Sequence, residues 1–308
     1  MESAIEIQGL TKRFGDVRAV EDLRLDIHSG EMFALVGPDG AGKTTTMRML
    51  TGVTRPSSGT ARILGYDLTK EAEAVKRRIG YLSQRFSLYT DLTVDENIEF
   101  FAGIHGVEDF RSRREELLEF TRLAPFRTRM AEKLSGGMKQ KLALACTLVH
   151  TPDLIFLDEP TTGVDPVSRR DFWKILSNLL KTGMTIILTT PYMDEAERCH
   201  RVGLMDKGRL MMADTPRVLK ALMPGIVLEV VCDLNRRAQD VLKGAPGVRE
   251  VQAFGDRLNV AVDEESTGLH AIRSALEGRG IRISLVRRIP PSLENVFISM
   301  VKNSGGAP

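Results

Sequence analysis

Two short segments carry residue types at a spacing that could do chemistry. Gly37-Pro38-Asp39-Gly40-Ala41-Gly42-Lys43-Thr44, continued by Thr45, has the spacing of a phosphate-binding P-loop. Leu154-Ile155-Phe156-Leu157 is an apolar run that ends on two carboxylates, Asp158 and Glu159. The glycines of the first segment let backbone N–H groups turn inward, where bulkier residues would obstruct them. A helix opening at Gly42 would present its positive end to the phosphates. Lys43 is expected to reach the β- and γ-phosphates and the Thr44 hydroxyl to ligate Mg²⁺. At the end of its strand, Asp158 can hold the Mg²⁺ shell through water. Glu159 can polarise an attacking water as general base. An Asp-Glu pair alone is a weak signal, but with the P-loop upstream the two segments call for a nucleoside triphosphate and Mg²⁺.

The elements that must position these residues can be read around them. Glu31-Met32-Phe33-Ala34-Leu35-Val36 reads as a short buried strand feeding the P-loop, and residues 42–50 read as the helix after it. The strand–helix alternation predicts an α/β core with a mainly parallel sheet and the phosphates at the carboxyl ends of its strands. Ahead of it, Ile5 and Ile7, then Leu23, Leu25 and Ile27, alternate with polar residues, predicting an antiparallel edge sheet. Between Gln84 and Leu134 the pattern turns helical, and Thr93-Val94-Asp95-Glu96 can cap a helix running through Phe100 and Phe101. Pro224-Gly225 marks a boundary. Beyond it, strand 226–232, helix 235–243, strands 248–254 and 257–262, helix 267–278 and strand 281–287 give the order of a small ferredoxin-like sandwich, closed by a helix over 291–302. The expected division is therefore a nucleotide-binding domain over 1–222 with a helical subdomain at about 85–134, an α+β domain over 223–302, and a disordered tail, 303–308.

A third segment narrows the reading. Leu134-Ser135-Gly136-Gly137-Met138-Lys139-Gln140 opens a helix, with Ser135 as N-cap and two glycines exposing N–H groups at its positive end. Placed shortly before the apolar strand, it resembles the signature motif of ATP-binding-cassette (ABC) ATPases. Gln84, in Tyr81-Leu82-Ser83-Gln84, resembles the glutamine that touches Mg²⁺ in that family and links the core to the helical subdomain. Thr162-Gly163-Val164-Asp165 resembles the loop that crosses to a partner subunit. Phe14, in Leu10-Thr11-Lys12-Arg13-Phe14-Gly15, matches the aromatic on which adenine stacks, although a core phenylalanine in an edge strand is a competing reading. The resemblance covers residues 1 to about 222 and implies ATP as the nucleotide. It also implies composite sites, in which Ser135, Gly136 and Gly137 cap the ATP held by a partner's P-loop. The run from Leu88 to Asn97 resembles the drug-export branch, whose helical segment receives a coupling helix from the membrane subunit. Pro291-Ser292-Leu293-Glu294-Asn295-Val296-Phe297 resembles that branch's C-terminal extension, associated with dimer contact or regulation; a simple amphipathic helix closing the domain fits equally. The implied function is the cytoplasmic ATPase subunit of an exporter. It would be peripheral on the inner membrane and pair as homodimer or heterodimer under transmembrane permease subunits.

One position departs from the family pattern. The strand Thr185-Ile186-Ile187-Leu188-Thr189-Thr190 is followed by Pro191, where family members usually carry a histidine that contacts the γ-phosphate. Proline has neither imidazole nor N–H, so slow hydrolysis at this chain's own P-loop is expected. As a strand terminator it fits the place. Asp39 departs more mildly from the usual asparagine, and a carboxylate so near phosphates must point away or be paired.

Composition sets the outer bounds. The 308 residues, 42% hydrophobic and 27% charged, suit two globular domains. A net charge of +2 gives no case for nucleic acid, and the Arg-rich stretch 111–133 is interleaved with Glu115, Glu116 and Glu119. Cys146, Cys199 and Cys232 lie far apart, without metal or disulfide spacing, as suits the cytosol. No run approaches the roughly 18–20 apolar residues that span a bilayer, so service to a membrane would go through other chains. Two other functions stay open: a soluble cassette ATPase acting on nucleic acid or ribosomes, whose relatives usually carry paired cassettes or a coiled-coil insertion, and an ATP-gated clamp with little turnover.

Overall fold

The computed structural model describes residues 2–85 and 88–305. Contacts divide the chain into two units, Met1–Asp214 and Thr215–Pro308. The first begins with two long strands, β1 (Ser3–Phe14) and β2 (Val17–His28), followed by β3 (Met32–Val36) and α1 (Lys43–Leu50). Then come β4 (Ser58–Ile63), β5 (Tyr66–Asp67), α2 (Ala72–Arg78) and β6 (Ile79–Leu82). A helical stretch, α3 (Val94–His105), α4 (Phe110–Thr121) and α5 (Gly136–Leu148), precedes β7 (Leu154–Asp158) and α6 (Pro166–Lys181). The unit ends with β8 (Thr185–Thr190), α7 (Met193–Ala196), β9 (Arg201–Asp206) and β10 (Arg209–Asp214).

These strands form two sheets. One has the order β2-β1-β4-β5 and is antiparallel; the other has the order β10-β9-β3-β8-β7-β6 and is parallel except where β10 meets β9. Burial explains the difference in pattern. Every residue of β3, β7 and β8 is buried, as in strands covered on both faces, whereas β1 and β2 alternate. α1 lies between the sheets and touches β2 on one side and β7 and β8 on the other. Its consecutive buried residues Met49 and Leu50, with Met47, therefore share a core with Ile5, Leu23 and Ile27 of one sheet and Phe33, Phe156 and Ile187 of the other. At the start of α3 the expected capping box is complete, Thr93 Oγ1 accepting from the Glu96 N–H and Glu96 from the Thr93 N–H. Helices α3, α4 and α5 pack on one another.

The second unit holds α8 (Pro216–Ala221), β11 (Ile226–Cys232), α9 (Asn235–Lys243), β12 (Val248–Phe254), β13 (Arg257–Val262), α10 (Glu265–Glu277), β14 (Ile283–Ile289) and α11 (Leu293–Gly305). Its antiparallel sheet has the order β12-β13-β11-β14, which is the ferredoxin-like arrangement. Leu228, Val230, Val260, Leu242, Ile272 and Leu276 form its core. The division falls earlier than the expected 222: α8, with Leu219 fully buried, packs against α11 and so belongs to this unit. α11 runs past the expected Lys302 to Gly305, and residues 306–308 of the expected tail lie outside the described residues. Among the described residues no helix is long and apolar enough to cross a membrane.

Candidate nucleotide site

The loop from Gly37 to Gly42 joins the buried end of β3 to α1. At Gly37 a Cβ would run into the Met205 carbonyl, so only glycine fits beside β9. Gly42, the N-cap of α1, has φ 100°, and a Cβ there would stand 2.5 Å from the Ala19 carbonyl. The chain thus turns sharply and points its first helical N–H groups into a cleft of about 580 Å³. Asp39, Gly40, Ala41, Gly42, Lys43, Thr44 and Thr45 line that cleft together with Phe14, Gln84 and Glu159. Pro38 and Asp39 are exposed, and among the described residues Asp39 has no ion pair.

Lys43, only 4% exposed, donates to the carbonyls of Gly37 (2.8 Å) and Pro38 (3.0 Å), with its ammonium 3.8 Å from Glu159 Oε1. Thr44 Oγ1 donates to Asp158 Oδ1 at 3.0 Å, joining the P-loop helix to the end of β7. Thr189 Oγ1, from β8, donates to the same oxygen at 2.6 Å. Asp158 Oδ2 is buried with no hydrogen-bond partner among the described residues. Burial first, and then the nearby charge of Asp158, push the Tyr81 phenol up to about 12. Glu159 Oε2 accepts from Gln84 Nε2 (3.0 Å) and Thr162 Oγ1 (3.2 Å). Phe14 is 53% exposed at the cleft, with Lys12 Nζ 4.9 Å from its ring centre. It is not a core phenylalanine, because it ends β1 where the strand leaves the sheet's buried face.

The remaining predicted residues are not among the cleft lining. Ser135 caps α5, its hydroxyl accepting from the Met138 N–H at 3.3 Å. Gly136 has open space where a Cβ would be, while a Cβ on Gly137 would collide with the Ser168 side chain of α6. Asp165 caps α6, accepting from the N–H groups of Ser168 (2.9 Å) and Val167 (3.1 Å); the Ser168 bond leads in holding its carboxyl below the usual range. Pro191 forms the bend after β8. Sequence reasoning missed Val17, Arg18, Ala19 and Lys207, which line the cleft, and Thr189, the second donor to Asp158. The polar pair Thr189-Thr190 closing an apolar strand was a usable signal; the others come from segments with no local motif.

Cleft and double-sheet core together define a P-loop nucleotide-binding domain. The family model described as ABC transporter matches residues 20–162. "Probable multidrug ABC transporter ATP-binding protein YbhF" of Escherichia coli (strain K12) is 41% identical over 310 residues, covering 99% of this chain. The chain spans 53% of that relative's length. "Daunorubicin/doxorubicin resistance ATP-binding protein DrrA" of Streptomyces peucetius is 37% identical over 309 residues, with 96% of this chain and 92% of the relative covered. Among solved structures, a dimeric post-hydrolysis state of the ATP-binding cassette MJ0796 with ADP and Pi is similar at TM-score 0.63 and 26% identity, over 68% of this chain and 98% of that one. The chain belongs to the ABC transporter family.

Proposed function

We propose that this chain is the ATP-binding, ATP-hydrolysing subunit of a membrane exporter, powering efflux of drug-type or hydrophobic compounds through separate permease subunits at the cytoplasmic face of the inner membrane. The supporting observation is the bond between Thr44 and Asp158, which brings the P-loop helix and the end of β7 together with Glu159 at the cleft. The names of the drug-resistance relatives favour the exporter over nucleic-acid or ribosome work.

In this reading the loop N–H groups and Lys43 hold the phosphates of ATP, and Phe14 offers its exposed face to adenine. The donor set fits Mg²⁺: hard oxygens only, a hydroxyl beside a carboxylate, and a buried Asp158 Oδ2 without a protein partner. Thr44 and Asp158, with Gln84 nearby, would hold the ion, where it would offset phosphate charge. Glu159 accepts the proton of the attacking water. Gln84, which bonds Glu159, ties that base to the segment leading into the helical subdomain.

Ser135, Gly136, Gly137 and Asp165 lie outside the cleft lining, which suits completion of each site by a second ATPase subunit, identical or not. Closure of two subunits would move α3–α5 and rock the permease. Pro191 supplies no hydrogen bond to the γ-phosphate, so turnover is expected to be lower by ~10²–10³-fold than with an imidazole there. The test compares the purified chain with Lys43→Ala, Glu159→Gln and Pro191→His. Lys43→Ala should abolish ATP binding and Pro191→His should raise turnover. Unchanged ATP affinity in Lys43→Ala defeats the nucleotide reading, and ATP-dependent pairing without phosphate release points to a clamp instead. Capture from solubilised membranes should recover a multispanning protein; soluble partners alone would count against the exporter.

A further inference from the structure

Glu159 has φ 49°, a left-handed conformation that a residue with a side chain keeps only when its surroundings impose it. Its N–H donates to both the carbonyl (3.2 Å) and the hydroxyl (3.0 Å) of Thr189. Its carbonyl accepts from the Thr162 N–H at 3.2 Å, and Thr162 also turns its hydroxyl onto Oε2 of the Glu159 carboxylate. Thr162 is therefore bonded to both ends of the residue. With Gln84 on that same oxygen, two donors fix the carboxylate's rotation and leave Oε1 facing the Lys43 side of the cleft.

The loop that carries Thr162 is itself anchored. Its neighbour Thr161 is buried and donates to Glu195 Oε1 at 2.7 Å, while Thr190, at the end of β8, donates to Glu195 Oε2 at 2.8 Å. Arg169 of α6 brings its guanidinium to 3.5 Å from Oε1. Glu195 is only 1% exposed, and burial so far from water is costly for a polar group unless it is hydrogen-bonded, as both its oxygens are. It joins the loop after β7, the end of β8 and α6, and it does so around Pro191, which has no donor to contribute.

We propose that Thr162 aims the Glu159 carboxylate, and that Glu195, gripping Thr161 and Thr190, fixes the loop on which Thr162 stands. Both are positioning residues, and the proposal rests on the reading of the chain as an ATPase.

The test uses the full chain with Thr162→Val, which keeps the shape and removes the hydroxyl, and Thr162→Ser, which restores it. Thr162 is exposed, so folding should survive, and a thermal melt checks this. Loss of one hydrogen bond to a charged group predicts a fall in kcat of about ten- to a hundred-fold in Thr162→Val, with KM and fluorescent-ATP affinity within about two-fold of the parent. Thr162→Ser should recover most of the rate. Glu195→Gln, which keeps the volume, should lower kcat with the same unchanged KM. The proposal is overturned by wild-type kcat in Thr162→Val, by failure of serine to rescue, or by a loss confined to KM. A parent chain no faster than Glu159→Gln would instead defeat the ATPase reading, and this proposal with it.

Discussion

Asp158 shows how a single side chain divides its work. One oxygen takes hydrogen bonds from Thr44 and Thr189, while the other is buried with none among the described residues. Such an oxygen can accept from a metal-bound water, so on the proposed reading Asp158→Asn should weaken magnesium-dependent nucleotide binding more than binding without the metal, measured by titration with and without chelator. At Glu159, replacement by Gln should leave ATP affinity intact and cut turnover by ~10²–10⁴-fold, the usual worth of a general base, read in a phosphate-release assay. Phe14→Ala should weaken ATP by about 1–3 kcal/mol if the ring stacks on the base, and should spare tripolyphosphate, which has no base to stack. Lys43, Thr44, Asp158 and Glu159 were legible in the sequence because covalent spacing alone sets their relation to a loop or a strand end. Thr162 and Thr189 were not assigned their partners, because the turn that brings Thr162 back onto Glu159 and the β7–β8 pairing that brings Thr189 onto Asp158 are set by the fold; the polar end of β8 hinted at the second only by residue type.

Between elements, one tight fit is where α5 packs on α6. Gly137 faces Ser168 with no room for a methyl group, so the glycine of the signature segment has a packing reason besides any role towards a partner's nucleotide. Gly137→Ala should destabilise the chain by about 1–3 kcal/mol as an overpacked contact. Combination with Ser168→Gly should recover much of that in a denaturant melt. A second junction ties α3 to the core through stacked imidazoles, His105 and His150, with ring centres 4.0 Å apart. Burial, then the neighbouring His105, hold His150 down to about 4, well under its ordinary 6.5; the Arg113 charge on α4 acts in the same direction, and the Ile79 carbonyl opposes it. The unfolded chain therefore takes up a proton that the native pair refuses. Its stability contribution is whole above pH 6.5 and falls as pH drops from there towards about 4. His150→Gln should flatten the dependence of melting temperature on pH across that window. The parallel and antiparallel strands were separable in the sequence because coverage on one face or two leaves different periodicities. The histidine pair was not, since its members lie far apart in the chain.

The two units of the chain make different demands on it. Thr215–Pro308 closes its own ferredoxin-like core, and Glu229 is held there by Arg287 and Arg257, which keep its carboxyl below the usual range. A chain ended at Asp214 should therefore fold and bind nucleotide as the full chain does, while one ended at residue 222 would carry an unpaired α8 and aggregate more readily; light scattering and ATP titration would check both. The earlier division has a simple cause: Pro224-Gly225 is a bend that falls inside the second unit, and only the packing of Leu219 and α8 reveals that. In the first unit α1, which carries Lys43 and Thr44, is packed between strands on either side, as on an anvil. If the proposed ATPase reading holds, ATP-driven movement should leave through peripheral helices rather than through that anvil, so that a probe placed on α1 stays still while one on α3 travels.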